Sequence, residues 1–207
     1  MAHIENELED DISIQEVEGQ IRDSQNGVAV GYLHWYIFAK TEENAEVSRW
    51  TFFDACDAQS QELCDFAALL FSARKLDVTS MLRLGPIAFM HLLEVRPSYA
   101  GNGLGIQATK ALAEYLQQKI GLHAAVMQPV PLQFDSAPDD QPSDPSAEQL
   151  FKHELRHLVS YYKRVLPLEE VQRGSGYFLW RFGNNGRPTP VVERTAPQKA
   201  RPHRSRP

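Results

Sequence analysis

Only two of the 207 residues are cysteine, Cys56 and Cys64. That is too little sulfur for a disulfide framework and fits a reduced, cytoplasmic setting. Seven residues separate the pair, and both are expected on one helical segment. No apolar run approaches the roughly 20 residues that a membrane-spanning helix needs, so no membrane partner is expected. The opening stretch MAHIENELEDD has five acids and no Lys or Arg, which is the reverse of the basic start of a signal peptide. Positive charge is also short overall, with 21 Lys and Arg against 27 Asp and Glu and a formal net charge of −6. A broadly basic nucleic-acid surface is therefore excluded from expectation. No internal repeat is visible.

The residues that are present support one domain with tails. Residues 1–11 read as an acidic extension, 12–186 as the domain, and 187–207 as a disordered, basic, Pro-rich tail with six Lys or Arg and five prolines. Within the domain, ISIQEVEGQI (12–21) alternates in the manner of a half-buried strand. An Asn26-Gly27 turn joins it to a second strand over 28–39, which makes a hairpin. Leu63, Phe66, Ala67, Leu70 and Phe71 follow helical spacing, with Asp57 or Ser60 as N-cap. The continuous apolar run PIAFMHLLEV (86–95) reads as a central strand buried on both faces. A helical stripe from Leu104 to Leu116 stops near Gly121. A strand begins at His123 and is cut by Pro129 and Pro131. An acidic, Pro-rich loop over 135–148 precedes a helix at 146–165, and GYFLWRF (176–182) reads as a last strand. GSG at 174–176 reads as a turn. The order implies an α/β fold.

Between the central strand and the next helix lies EVRPSYAGNGLG. Backbone N–H groups at such a strand-to-helix turn are orphan donors at the positive end of a helix dipole, a setting suited to phosphate. The spacing is not the dinucleotide fingerprint G-x-G-x-x-G, and no Gly-Lys-Ser/Thr follows as in a P-loop.

The stretch closely resembles the acetyl-CoA motif of the GNAT N-acetyltransferase superfamily. Val95, Pro97, Tyr99, Gly101, Gly103 and Gly105 fall on its pattern without a gap. The likeness is specific over 87–116 and continues more weakly to Phe182, where LVSYYKRV is similar to the family's later helix. It implies a GNAT-like mixed central sheet, splayed between the Val95 and His123 strands, with helices on both faces. It also implies acetyl-CoA as co-substrate, an amine acceptor, expected to be a small molecule, and no metal. A homodimer is allowed for. By resemblance Leu93, Glu94 and Val95 would pair with the pantetheine arm, while Ala100, Gly101, Asn102, Gly103, Leu104, Gly105 and Ile106 would wrap the pyrophosphate. Tyr162 falls where the family's tyrosine protonates the departing thiolate, and the Val95 amide would meet the oxyanion. Ala100 stands where the family has Arg or Gln, and Leu166-Pro167 replaces its Gly-Phe. The family's Asn before the later helix is missing, and a helix intervenes between hairpin and central strand. These departures keep open an alternative: a non-catalytic module of this fold that binds CoA or a partner.

Acetyl transfer needs a neutral amine, so a base is required. His91 is the first candidate, expected to share a strand face with Leu93 and Val95, as some family members acting on arylalkylamines carry a His there. Glu94, on the opposite face, is the second. A competing motif, His153-Glu154-Leu155-Arg156-His157, matches the zinc-protease pattern H-E-x-x-H. The charged Arg156 and the want of a third ligand favour reading it as a solvated helix face.

Overall fold

The alternating run at the start of the domain becomes strand β1 (Ile12–Arg22), paired antiparallel with β2 (Ala29–Lys40) from Ile12 opposite Lys40 to Arg22 opposite Ala29. The computed structural model describes residues 11–42, 46–73, 77–131 and 145–182. Residues 1–10 of the acidic extension, 132–134 at the end of the segment expected as a strand, 135–144 of the acidic loop and the whole basic tail lie outside them. In the hairpin turn Gly27 takes φ +69°, a left-handed value that glycine adopts without a side-chain clash. The Asp23 carbonyl accepts from the Gly27 N–H at 2.8 Å.

Where one amphipathic helix was expected before the central strand there are three helices: α1 (Arg49–Gln59), α2 (Gln61–Ser72) and α3 (Val78–Leu84). Ser60 separates the first two. Its extended backbone (φ −168°, ψ 157°) cannot continue a helix. Its N–H donates to the Cys56 carbonyl, closing α1, while its Oγ accepts from the Leu63 N–H at 3.2 Å, opening α2. Cys56 and Cys64 therefore lie on different helices, contrary to the single segment expected.

The central strand β3 (Ile87–Val95) pairs antiparallel with β2 and parallel with β4 (Ala124–Met127). Helix α4 (Leu104–Ile120) connects these parallel strands and ends on Gly121 in the left-handed region. The long helix α5 (Pro145–Val165) follows, taking in the last residues of the expected loop. A two-residue strand β5 (Glu169–Glu170) and β6 (Phe178–Arg181) complete a six-stranded mixed sheet in the order β1-β2-β3-β4-β6-β5. Strand alternation sends Phe38, Ile87, Phe89, Val126 and Leu179 into a core roofed by α1, α2 and α3. It sends Trp35, Ala88, Met90, Ala125 and Trp180 into a second core under α4 and α5. Helices thus cover both faces. In the first core, Phe66 stacks on Phe89 with ring centroids 4.5 Å apart and a 13° interplanar angle.

Two irregularities shape the centre of the sheet. The parallel ladder joins Ile87–Met90 to Ala124–Met127 and stops, while β3 runs on to Val95. Pro129 and Pro131 follow on the β4 side, and proline has no N–H to extend a ladder. The β2–β3 register also steps from Trp35 opposite Met90 to His34 opposite Leu92, so His91 is an extra residue in a β-bulge. One extra residue shifts the period-two pattern of everything beyond it. His91 stays in phase with Phe89 and faces the α2 side, whereas Leu93 and Val95, beyond the extra residue, pack into the core beneath α4. The shared face expected for His91, Leu93 and Val95 is overturned by the bulge. Burial on both faces holds for Ile87–Met90 only; the second half of β3 opens toward a cleft.

Candidate functional site

The cleft begins where β3 and β4 part and consists of two adjoining cavities. One, of about 490 Å³, lies over the glycine turn. After β3 the chain makes a short 3-10 turn (Pro97–Tyr99), then passes through Gly101 at φ +80° and Gly103 at φ +73°. These two glycines supply backbone that an L side chain would strain. Gly103 is the N-cap of α4; its carbonyl accepts from the Gln107 N–H at 3.0 Å, and among the described residues no side chain caps the helix start. The third glycine has a different reason. A Cβ at Gly105 would sit 3.2 Å from Leu93 Cδ2 and 3.3 Å from Val95 Cγ2, so its bareness brings α4 close to β3.

Leu93, Val95, Ala100, Gly101, Gly103, Leu104, Gly105 and Ile106 all border this cavity. Glu94 and Asn102 do not. Glu94 borders a shallow pocket beside Tyr32 and Arg96, and the exposed Asn102 amide reaches back toward the Tyr99 carbonyl at 3.5 Å. No Lys or Arg lines the cavity among the described residues. An anion held here would therefore depend on the uncapped N–H groups and dipole of α4.

The opposite wall comes from α5. Glu154, His157, Leu158, Tyr161 and Tyr162 form one helical stripe that lines the cavity. The H-E-x-x-H segment is therefore split, not wholly a solvated face: Glu154 and His157 border the cleft, while Arg156 turns back to the Lys152 carbonyl at 3.2 Å. His153 and His157 bring their Nε2 atoms to 3.1 Å. No third His, Cys, Asp or Glu joins them as a metal ligand among the described residues. One triad of such groups does converge elsewhere: Glu16, Glu18 and His34 have ligand atoms within 4.8 Å of one another on the β1–β2 hairpin.

The second cavity, about 410 Å³, shares Leu93, Val130, Leu158 and Tyr162 with the first and opens on the α2 side. His91 and Tyr162 both line it, so the structure brings these two candidates to one space. Tyr162 is half-buried, and burial, with the Tyr161 phenol next in effect, pushes its pKa up to about 12. His91 is held by a partner that sequence reasoning missed. Its Nδ1 lies 2.6 Å from Glu62 Oε1 on the first turn of α2. A carboxylate only accepts, so Nδ1 carries the proton and a neutral His91 keeps its lone pair on Nε2. His34 stands edge-on to His91 with centroids 5.0 Å apart, and its Nε2 lies 3.5 Å from Glu16 Oε2. No local pattern points from Glu62 to a residue 29 positions later. His91 continues the face of Ile87 and Phe89 toward the first core, and the pair forms because α2 packs over that face.

The chain matches no family model and no curated protein.

Proposed function

We propose that the protein is an acyltransferase using acyl-CoA as donor, and more particularly a GNAT-type N-acetyltransferase acting on an amine, with a small-molecule acceptor favoured. The observation that carries this reading is the continuous cleft at the parting of β3 and β4. It has an uncapped helix N-terminus behind glycines on one side and the Glu62–His91 pair on the other. The strand order, with its parallel β3/β4 pair between antiparallel neighbours, supports the splayed sheet implied by the resemblance.

In this mechanism the turn from Ala100 to Ile106 holds the pyrophosphate through backbone amides, and the second half of β3, free of a β4 partner, offers its amides to the pantetheine arm. Bound acetyl-CoA supplies the thioester. His91 Nε2 takes a proton from the acceptor ammonium, and the freed amine attacks the carbonyl carbon. The N–C bond forms, the C–S bond breaks, and the proton released from nitrogen balances the thiolate. At a pKa of about 12, Tyr162 is a weaker acid than an ordinary thiol by roughly three powers of ten. It acts as a hydrogen-bond donor to the developing thiolate, and a full proton transfer from it is uphill.

A second reading, a non-catalytic CoA- or partner-binding module, draws on the exposed Ala100 and on a cavity with no cationic lining among the described residues. Calorimetry with acetyl-CoA, followed by thiol release across an amine panel, separates the two. Binding with amine-dependent thiol release is expected; binding without release favours the module, and no binding removes both CoA readings.

A further inference from the structure

Resting on the acyltransferase reading, we propose that Glu62 selects the acceptor, and that the acceptor is a primary amine carried on an apolar body without an acidic group. Glu62 is the one charged side chain that lines the α2-side cavity among the described residues, apart from the titratable His91 and Tyr162. The remaining lining is mostly apolar, including Phe89, Met127, Pro129 and Leu158. An ammonium entering this space meets a carboxylate and leaves its hydrocarbon part against carbon. A carboxylate or phosphate on the same substrate would meet no Lys or Arg there, and an unpaired charge moved out of water is costly. The surroundings strengthen the sign. Glu16 reaches His34 at 3.5 Å, and His34 stands beside His91, so the groups behind the base are further acids and histidines. The volume, about 410 Å³, suits a small ligand.

Glu62 then has two effects through one geometry. Its Oε1 fixes the His91 ring by accepting from Nδ1, which makes it a positioning residue for the base. Its negative charge attracts the ammonium to the neighbouring Nε2. Neither effect reaches the glycine turn, because Glu62 does not border that cavity.

Three amines with one six-carbon chain test this: hexylamine, 1,6-diaminohexane and 6-aminohexanoate, compared by kcat/KM for thiol release from acetyl-CoA. Hexylamine should be the best substrate and 6-aminohexanoate at least about 100-fold poorer, as expected for an uncompensated charge. Glu62→Gln should raise the hexylamine KM about tenfold, the scale of one charge-assisted hydrogen bond, and leave the acetyl-CoA KM and Kd unmoved. A purely structural role for Glu62 would move both. If acetyl-CoA fails to bind at all, the acyltransferase reading itself falls. If acetyl-CoA binds and 6-aminohexanoate or the diamine matches hexylamine, the reading stands and this inference is overturned. Binding with no turnover of any of the three overturns it as well.

Discussion

Tyr162 borders both halves of the cleft, and its environment limits what it can do. Burial raises its pKa to about 12, so it stays protonated across the range in which an enzyme of this kind is assayed. Replacing Tyr162 by Phe should lower kcat about 10- to 100-fold, at or below the usual range for one acid–base group, and leave acetyl-CoA affinity intact. Because the phenol does not ionise below about pH 11, neither wild type nor variant should show an alkaline loss of kcat from this group up to pH 10. A wild-type profile that falls near pH 9 and a variant profile that does not would contradict this. The glycines make a second residue-scale case. A Cβ at Gly103 meets only Gln107 Nε2 and Tyr161 Oη, each at 3.9 Å, so Gly103→Ala changes backbone strain and not packing. With φ at +73° the substitution should cost about 1–2 kcal/mol, read from the urea midpoint. Acetyl-CoA affinity should fall with it if the turn holds the pyrophosphate.

At the scale of elements, Ser60 connects stability to the site. One side chain opens α2, and two residues later Glu62 leaves that helix for His91. Ser60→Ala should cost about 1 kcal/mol in the urea midpoint, the usual loss for a removed N-cap. The backbone bond that closes α1 is untouched by the change. A frayed first turn should also raise the KM of the amine acceptor and spare that of acetyl-CoA; an unchanged amine KM would separate the cap from the site. Much of this architecture was legible in the chain. β1 and α4 were legible from period-two and helical spacing, because each packs one face on the core, and β2 from the Asn26-Gly27 turn that leads into it. The glycine turn was found because Gly101 and Gly103 answer to local backbone geometry. Ser60 was read as a cap but not as a break between two helices, since α1 has a weak apolar stripe and only Phe52 and Cys56 buried. α3 is a seven-residue helix, too short to establish a period. The bulge at His91 depends on how many residues β2 sets against β3, which no local pattern contains. The Glu62–His91 pair joins α2 to a strand residue 29 positions later, and no local spacing encodes how that helix packs on the sheet.

The molecule as a whole carries several groups whose folded-state titration departs from the unfolded chain, and together they define a window of stability. On the alkaline side the buried Cys56 thiol is pushed from 9.0 to about 12, chiefly by burial. Tyr32 rises to about 12, mainly through its hydrogen bond with Glu18, and Tyr162 reaches the same value through burial. In each case the folded state holds a proton that the unfolded chain gives up first. Stability is therefore full below pH 9, declines once Cys56 ionises in the unfolded chain, and falls more steeply above pH 10 as the tyrosines follow. On the acid side His123, at the start of β4, has its pKa lowered below 6.5 by burial and then by Arg181. Among the described residues its Nε2 has no hydrogen-bond partner. Below pH 6.5 the unfolded chain binds a proton that the folded state resists, so stability drops as pH falls toward the lowered value. Asp77, capping α3 and held low by hydrogen bonds from Ser80 and Thr79, adds a further loss below pH 3.8. Urea midpoints should be flat from pH 7 to 8.5 and fall on both sides. Cys56→Ala should flatten the decline between pH 9 and 10, and His123→Gln the decline between pH 6.5 and 5.5. An acid decline that persists unchanged in His123→Gln would assign it to other groups.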